Sequence, residues 1–122
     1  MRLAYPHGGR LGLAEGNESA LSAMQLFGIP CWATLGNERF GLVTIPESVR
    51  ELHLFVDNDA GGSHAEERAS EVYACEGRRI VTRRPERPDE DWNDVLTRIV
   101  ARMLAKHIDD FANRDIAMAL PR

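Results

Sequence analysis

Three groups of acidic side chains mark the places in this sequence where chemistry could be done. Glu15 stands before Gly16, Asp57 and Asp59 flank Asn58, and Asp91 and Asp94 flank Trp92-Asn93. In extended chain, residues two apart face the same side, so Asp57 and Asp59 would present both carboxylates together. Two carboxylates ~4 Å apart repel by about 4 kcal/mol at an effective dielectric near 20. Folding tolerates this when a proton is shared or a cation intervenes. Hard carboxylate oxygens with no Cys or His at neighbouring spacing favour Mg²⁺ or Mn²⁺.

Each group also has a plainer explanation. Asp57 to Gly62 is a run of turn formers in which aspartates serve as Asx-turn or capping residues. Glu15-Gly16 reads as a solvated charge before a turn. Asp91 to Asp94 reads as a helix N-terminus, where acids favour the dipole. What favours chemistry is their joint placement at successive strand ends.

Other metal and phosphate patterns fail on spacing. An EF-hand starting at Asp57 would need an oxygen ligand at Gly61 and a glutamate where Arg68 stands. The Asp-x-Asp of haloacid dehalogenase-type phosphatases would put its hydroxyl residue at Gly61. His7, His53, His64 and His107 have no zinc-ligand spacing and read as surface or core residues. Lys106 is the only lysine and follows no glycine-rich loop, which excludes a phosphate-loop lysine.

The elements that must position the acids follow from periodicity. Leu11–Ala14, Cys31–Leu35, Glu51–Val56 and Arg79–Thr82 read as short buried strands. Ala20, Leu21, Met24 and Phe27 repeat at helical spacing until Gly28-Ile29-Pro30, with Asn17 or Gly16 as the cap. Ser63 is expected to cap a second helix to about Glu76, with Ala65, Ala69, Val72 and Tyr73 on its apolar stripe. A third is expected over 91–107, with Val95, Leu96, Ile99, Val100, Met103 and Leu104 inward. Residues 36–46 stay ambiguous between a helical turn and a loop. This order predicts an α/β fold: a compact, Rossmann-like, mostly parallel sheet of about four strands with helices on both faces. Ligands of such sheets sit beyond the carboxyl ends of the strands, where the acids fall. The expected division is an irregular lead-in over 1–10, a catalytic domain over 11–107 and a helical tail over 108–122 with Phe111, Ile116 and Met118.

Composition sets the outer bounds. At 122 residues the chain holds one domain, and 43% hydrophobic with 28% charged residues is ordinary globular usage. A formal net charge of -4 excludes a domain that grips nucleic acid by overall charge. Cys31 and Cys75 lie far apart and read as reduced residues of a cytoplasmic protein. No stretch has the length of a signal peptide or membrane span, so no membrane partner is expected.

Taken in order, these motifs resemble a Toprim domain, the metal-dependent catalytic fold shared by bacterial-type primases, topoisomerases and some nucleases. The likeness rests on Glu15-Gly16, on Asp57-Asn58-Asp59-Ala60-Gly61 and on Asp91-Trp92-Asn93-Asp94-Val95-Leu96. It spans Leu11 to Leu96 and is greatest to the Toprim domains of plasmid- and phage-type primase–helicase proteins. Their Glu-Gly-x-Glu-x-Ala-Leu signature is similar to Glu15–Leu21 here, and the Ala33 region and Gly77-Arg78-Arg79 turn also fit.

The resemblance implies that Glu15 acts as general acid or base, and that Glu15, Asp57, Asp59 and Asp91 serve Mg²⁺ or Mn²⁺. It implies that Gly16, Gly61 and Gly62 let phosphate approach helix N-termini. Arg78, Arg79, Arg83 and Arg84, with Arg87, are the expected strand-binding edge. Glu90 departs from the lysine many relatives carry, and the chain starts almost at the first catalytic strand. The latter suggests a fragment or a stand-alone remnant, its zinc-ribbon or helicase domain lying elsewhere in a longer or neighbouring polypeptide. Three functions remain open: nucleotidyl transfer on nucleic acid, single-stranded DNA above all, with nucleotides as substrates; phosphodiester hydrolysis; and non-catalytic binding of metal, nucleotide or a partner.

Overall fold

Alternation along the strands decides which layer each side chain joins. The computed structural model describes residues 1–119. Its strands are β1 (Arg10–Ala14), β2 (Cys31–Ala33), β3 (Glu51–Phe55) and β4 (Arg79–Arg83). Leu11, Leu13, Leu52 and Leu54 fill one face with Trp32, Phe40 and Val49. Ala14, Cys31, Ala33 and Phe55 fill the other. Burial on both faces is what a parallel sheet between helices requires. All three pairings are parallel, in the order β2-β1-β3-β4.

The helices are α1 (Asn17–Phe27), α2 (Ala60–Tyr73) and α3 (Trp92–Ala119). Ala20 and Ala23 of α1 join Trp92 and Val95 of α3 over the Ala14/Phe55 face. Ala65, Ala69 and Tyr73 of α2 cover the leucine face. Gly28 ends α1 at φ 67, donating to the Met24 carbonyl, a left-handed stop that glycine adopts without strain. The fold is thus the α/β arrangement read from the sequence, with helices on both faces.

Several local expectations need correction. The chain leaves β2 at Ala33 rather than Leu35, because Leu35 turns it at φ 66. Residues 37–39 of the ambiguous stretch form a single 3-10 turn. Asp59, not Ser63, caps α2, so Gly61 and Gly62 lie inside its first turn. Val72 is exposed on α2, off the buried stripe. On α3, Val95, Leu96 and Ile99 are half-buried, but Val100, Met103 and Leu104 are exposed because the body of the fold ends before them. α3 itself runs unbroken from the predicted helix into the predicted tail, of which residues 120–122 lie outside the described residues.

The lead-in is irregular but not idle. Arg2 bridges antiparallel to Trp32, the Ala33 amide donates to the Met1 carbonyl, and the Trp32 indole donates to the Ala4 carbonyl. This segment therefore lies along the outer edge of β2. Both cysteines are free; burial pushes the Cys31 thiol up to about 12, while Cys75 is exposed. Among the described residues, no helix is long and apolar enough to cross a membrane.

Candidate active site

The strand order itself creates the opening. β1 and β3 are central neighbours, but α1 leaves β1 toward one face and α2 leaves β3 toward the other. Chains diverging from adjacent strand ends leave a crevice there, the usual ligand position in open α/β sheets. Glu15 follows β1 and Asp57 follows β3. Together with Gly16, Asn17, Glu18, Ser19 and Asp91, they line a cleft of about 380 Å³.

Asp91 reaches this cleft because the chain after β4 is stitched to the end of β3. The Val56 amide donates to Arg83, the Asn58 amide to Glu90 and the Asp89 amide to Asn58, each through a backbone carbonyl. Asn58 also donates its side-chain amide to the Glu86 carbonyl. Trp92 then anchors α3: its ring stands edge-on to Phe27 and Phe55, and its indole donates to the Arg83 carbonyl. Ser22 of α1 donates to Asn93 of α3 at 3.3 Å. Asp91 is thereby fixed beside Asp57.

Electrostatics single out Asp57. Burial raises its carboxyl first, and the charges of Glu15, Asp59 and Asp91 and a hydrogen-bonding contact with Glu15 raise it further, to about 7. The cleft therefore holds on to a proton well above the usual carboxylate range, one of the two resolutions expected for crowded acids. Burial also raises the Asp91 carboxyl, with Asp94 adding repulsion against the stabilising backbone amides of Asp94 and Asn93.

Two of the acids carry a second duty. Asp59 accepts from the Gly62 amide at 2.7 Å, capping α2. Asp91 accepts from the Asp94 amide at 2.8 Å while Asp94 accepts from the Asp91 amide at 3.0 Å, a reciprocal cap on α3. The capping explanation thus holds for both. Asp91 caps and lines the cleft, whereas Asp59 influences Asp57 from just outside it.

The glycines and arginines divide more sharply. Gly16 lines the cleft and offers α1 no side-chain cap. A Cβ at Gly62 would run into the Asp57 carbonyl, so glycine there lets α2 start directly on the site. Gly61 makes room for the Asn37 amide. Arg84 donates to Ser63 and Glu66 on α2, near the carboxyl rim. Arg83 turns onto the sheet instead, donating to His53 with its guanidinium over the Phe27 ring. Arg78 and Arg79 lie at the amino end of β4, opposite the cleft, so they do not join a rim edge. Arg78 clamps the carbonyls of Val49, Tyr73 and Pro46. Glu90, in the place of the missing lysine, is nearly buried and paired with Arg98 at 2.9 Å.

Sequence reasoning missed Ser19 as a lining residue and Asn58 as the stitch that brings Asp91 in. Ser19 sits one turn after Glu15, a position the α1 N-terminus makes available to any ligand of that cleft.

A divalent cation fits the donor chemistry here. The acids offer hard carboxylate oxygens, and burial and neighbouring negative charge already disfavour Asp57 as an anion, which a cation would relieve. Among the described residues, no three acidic, His or Cys side chains stand together as a ligand cage. Mg²⁺ keeps several waters and takes one or two carboxylates plus substrate phosphate. Glu15 and Asp57, whose carboxyls are in contact, are the side chains that would hold it, with Asp91 lining the same cleft.

No curated protein and no solved structure matches the chain. The family model of the Toprim domain matches residues 10–101, which takes in the cleft, all four strands and the first turns of α3. Domains of this kind bind divalent metal and process nucleic acid. The matched range takes in the acids after β1 and β3 and at the head of α3, and the chain belongs to the Toprim domain family.

Proposed function

We propose that this domain is the Mg²⁺-dependent catalytic unit of a primase-like DNA replication protein, transferring nucleotides on single-stranded DNA. The observation that carries the reading is the contact between the Glu15 and Asp57 carboxyls in one cleft at the strand-order reversal. Glu15 holds or moves the proton of the attacking hydroxyl or leaving oxygen. Asp57 with Glu15 would hold the cation in place of the proton they share, Asp91 supports them from the same cleft, and Asp59 adds charge from α2. Bound Mg²⁺ or Mn²⁺ supplies charge stabilisation for the attacking and leaving oxygens of the phosphodiester.

The uncapped first turn of α1 leaves amide donors facing the cleft for a phosphate. Arg84 lies near enough to the rim to meet the backbone of a strand. A zinc-ribbon or helicase domain, in the same or a neighbouring cytoplasmic polypeptide, would add template grip that a chain of net charge -4 lacks.

Thermal unfolding under Mg²⁺ or Mn²⁺ titration should show stabilisation in wild type that Asp57→Asn loses. Labelled single strands with Mg²⁺ should be extended only when nucleoside triphosphates are present. Cleavage without triphosphates would assign hydrolysis to the same carboxylates. Equal metal responses in wild type and variant would remove the metal site and the enzymatic reading with it.

A further inference from the structure

The second half of α3 carries an apolar stripe that the domain does not use. Val100 is 43% exposed, Met103 66%, Leu104 56%, Ile108 64% and Phe111 60%. These follow Val95, Leu96 and Ile99, which rest half-buried on the body of the fold. Met103 follows Ile99, and Leu104 and Ile108 follow Val100, at the four-residue spacing of one helix side. The apolar side therefore continues along the helix past the point where the body of the fold ends.

We infer that this segment of α3 is a homodimer interface in which two copies pair antiparallel through Val100, Met103, Leu104, Ile108 and Phe111. Area supports a second copy as the occupant. Together these five offer a patch on the order of 500 Å² per copy, the size at which exposed apolar patches mark contact sites. Two copies then reach the roughly 1,000 Å² that marks a specific interface.

Self-complementarity supports the antiparallel sense. With the two-fold axis midway along the stripe, Val100 meets Phe111 of the second copy, small against large, and Leu104 meets its own counterpart beside the axis. Antiparallel helices also oppose their dipoles favourably and keep the two bodies at opposite ends.

Sedimentation equilibrium of the full chain at tens of micromolar should give about twice the 13.7 kDa chain mass. Leu104→Glu/Ile108→Glu should halve it while the monomer keeps its far-ultraviolet circular dichroism, because neither residue is buried within the chain. Leu104→Gln/Ile108→Gln, which keeps helix-forming side chains, should weaken association in the same direction. In a Cys75→Ser background, His107→Cys lies beside the axis on the stripe's own side and should give a disulfide-linked dimer under mild oxidation. A monomeric wild type, or a dimer that survives both double variants, would overturn the interface. A dimer without the His107→Cys cross-link would overturn the antiparallel pairing.

Discussion

Asp57 keeps its proton up to about 7 because burial and three neighbouring acids oppose its charge. The ordinary aspartate value is 3.8, so the folded chain binds this proton more tightly than the unfolded one. Stability from this group is complete below about 4 and is lost as pH rises through about 7. His53 works the other way. It is buried between Glu51 and Arg83, with Nε2 donating to the carboxylate and Nδ1 accepting from Arg83, so a second ring proton would face a guanidinium. Burial and Arg83 hold it below 6.5, so its contribution is present above 6.5 and is lost as pH falls from there through the lowered folded value. In wild type these two slopes oppose each other between about 4 and 6.5. Asp57→Asn should leave the His53 slope exposed and gain about 1–2 kcal/mol over wild type at pH 8, a figure discounted for solvent screening. Urea unfolding across pH checks this. The sequence shows which acids are present but not which are spent as caps. Asp59 and Asp91 look alike as letters, and only the backbone path separates one that lines the cleft from one that stands outside it. The arginines were less legible still, since Arg83 and Arg84 are adjacent yet serve opposite faces of the sheet.

At the scale of elements, the start of α2 is the closest fit in the molecule. Gly62 is buried on the Asp57 carbonyl, so Gly62→Ala must push the helix off the end of β3. The expected cost is about 2–3 kcal/mol, with loss of the Mg²⁺ effect on thermal unfolding as Asp57 moves. Gly61→Ala meets only the Asn37 side-chain amide at 2.7 Å and should cost less. The strands and α1 were readable because apolar runs and Gly28-Ile29-Pro30 mark their limits locally. The first residue of α2 was not, because three small residues without periodicity follow Asp59. Nor was the solvent-facing stripe of α3, because helical spacing tells which residues share a side and not whether anything lies against it. Asn58 was invisible as an organiser, since its value lies in a loop that returns thirty residues later.

The whole molecule places its acids by topology: strand order opens the crevice, and the stitched loop after β4 brings the last carboxylate to it. A four-stranded open sheet also has two borders, and these are finished differently. β4 ends the sheet with Arg79 and Arg83, charged residues that discourage a neighbouring strand. β2 is guarded by Met1 to Ala4 instead, through the Met1–Ala33 and Ala4–Trp32 hydrogen bonds. Removing residues 1–4 should leave the cleft intact while uncovering Trp32, seen as a red-shifted fluorescence, and should lower the concentration at which light scattering begins. The opening residues of this chain thus act as a selvedge, the woven border that keeps a fabric from ravelling into its neighbour, and solubility depends on a strip far from any chemistry.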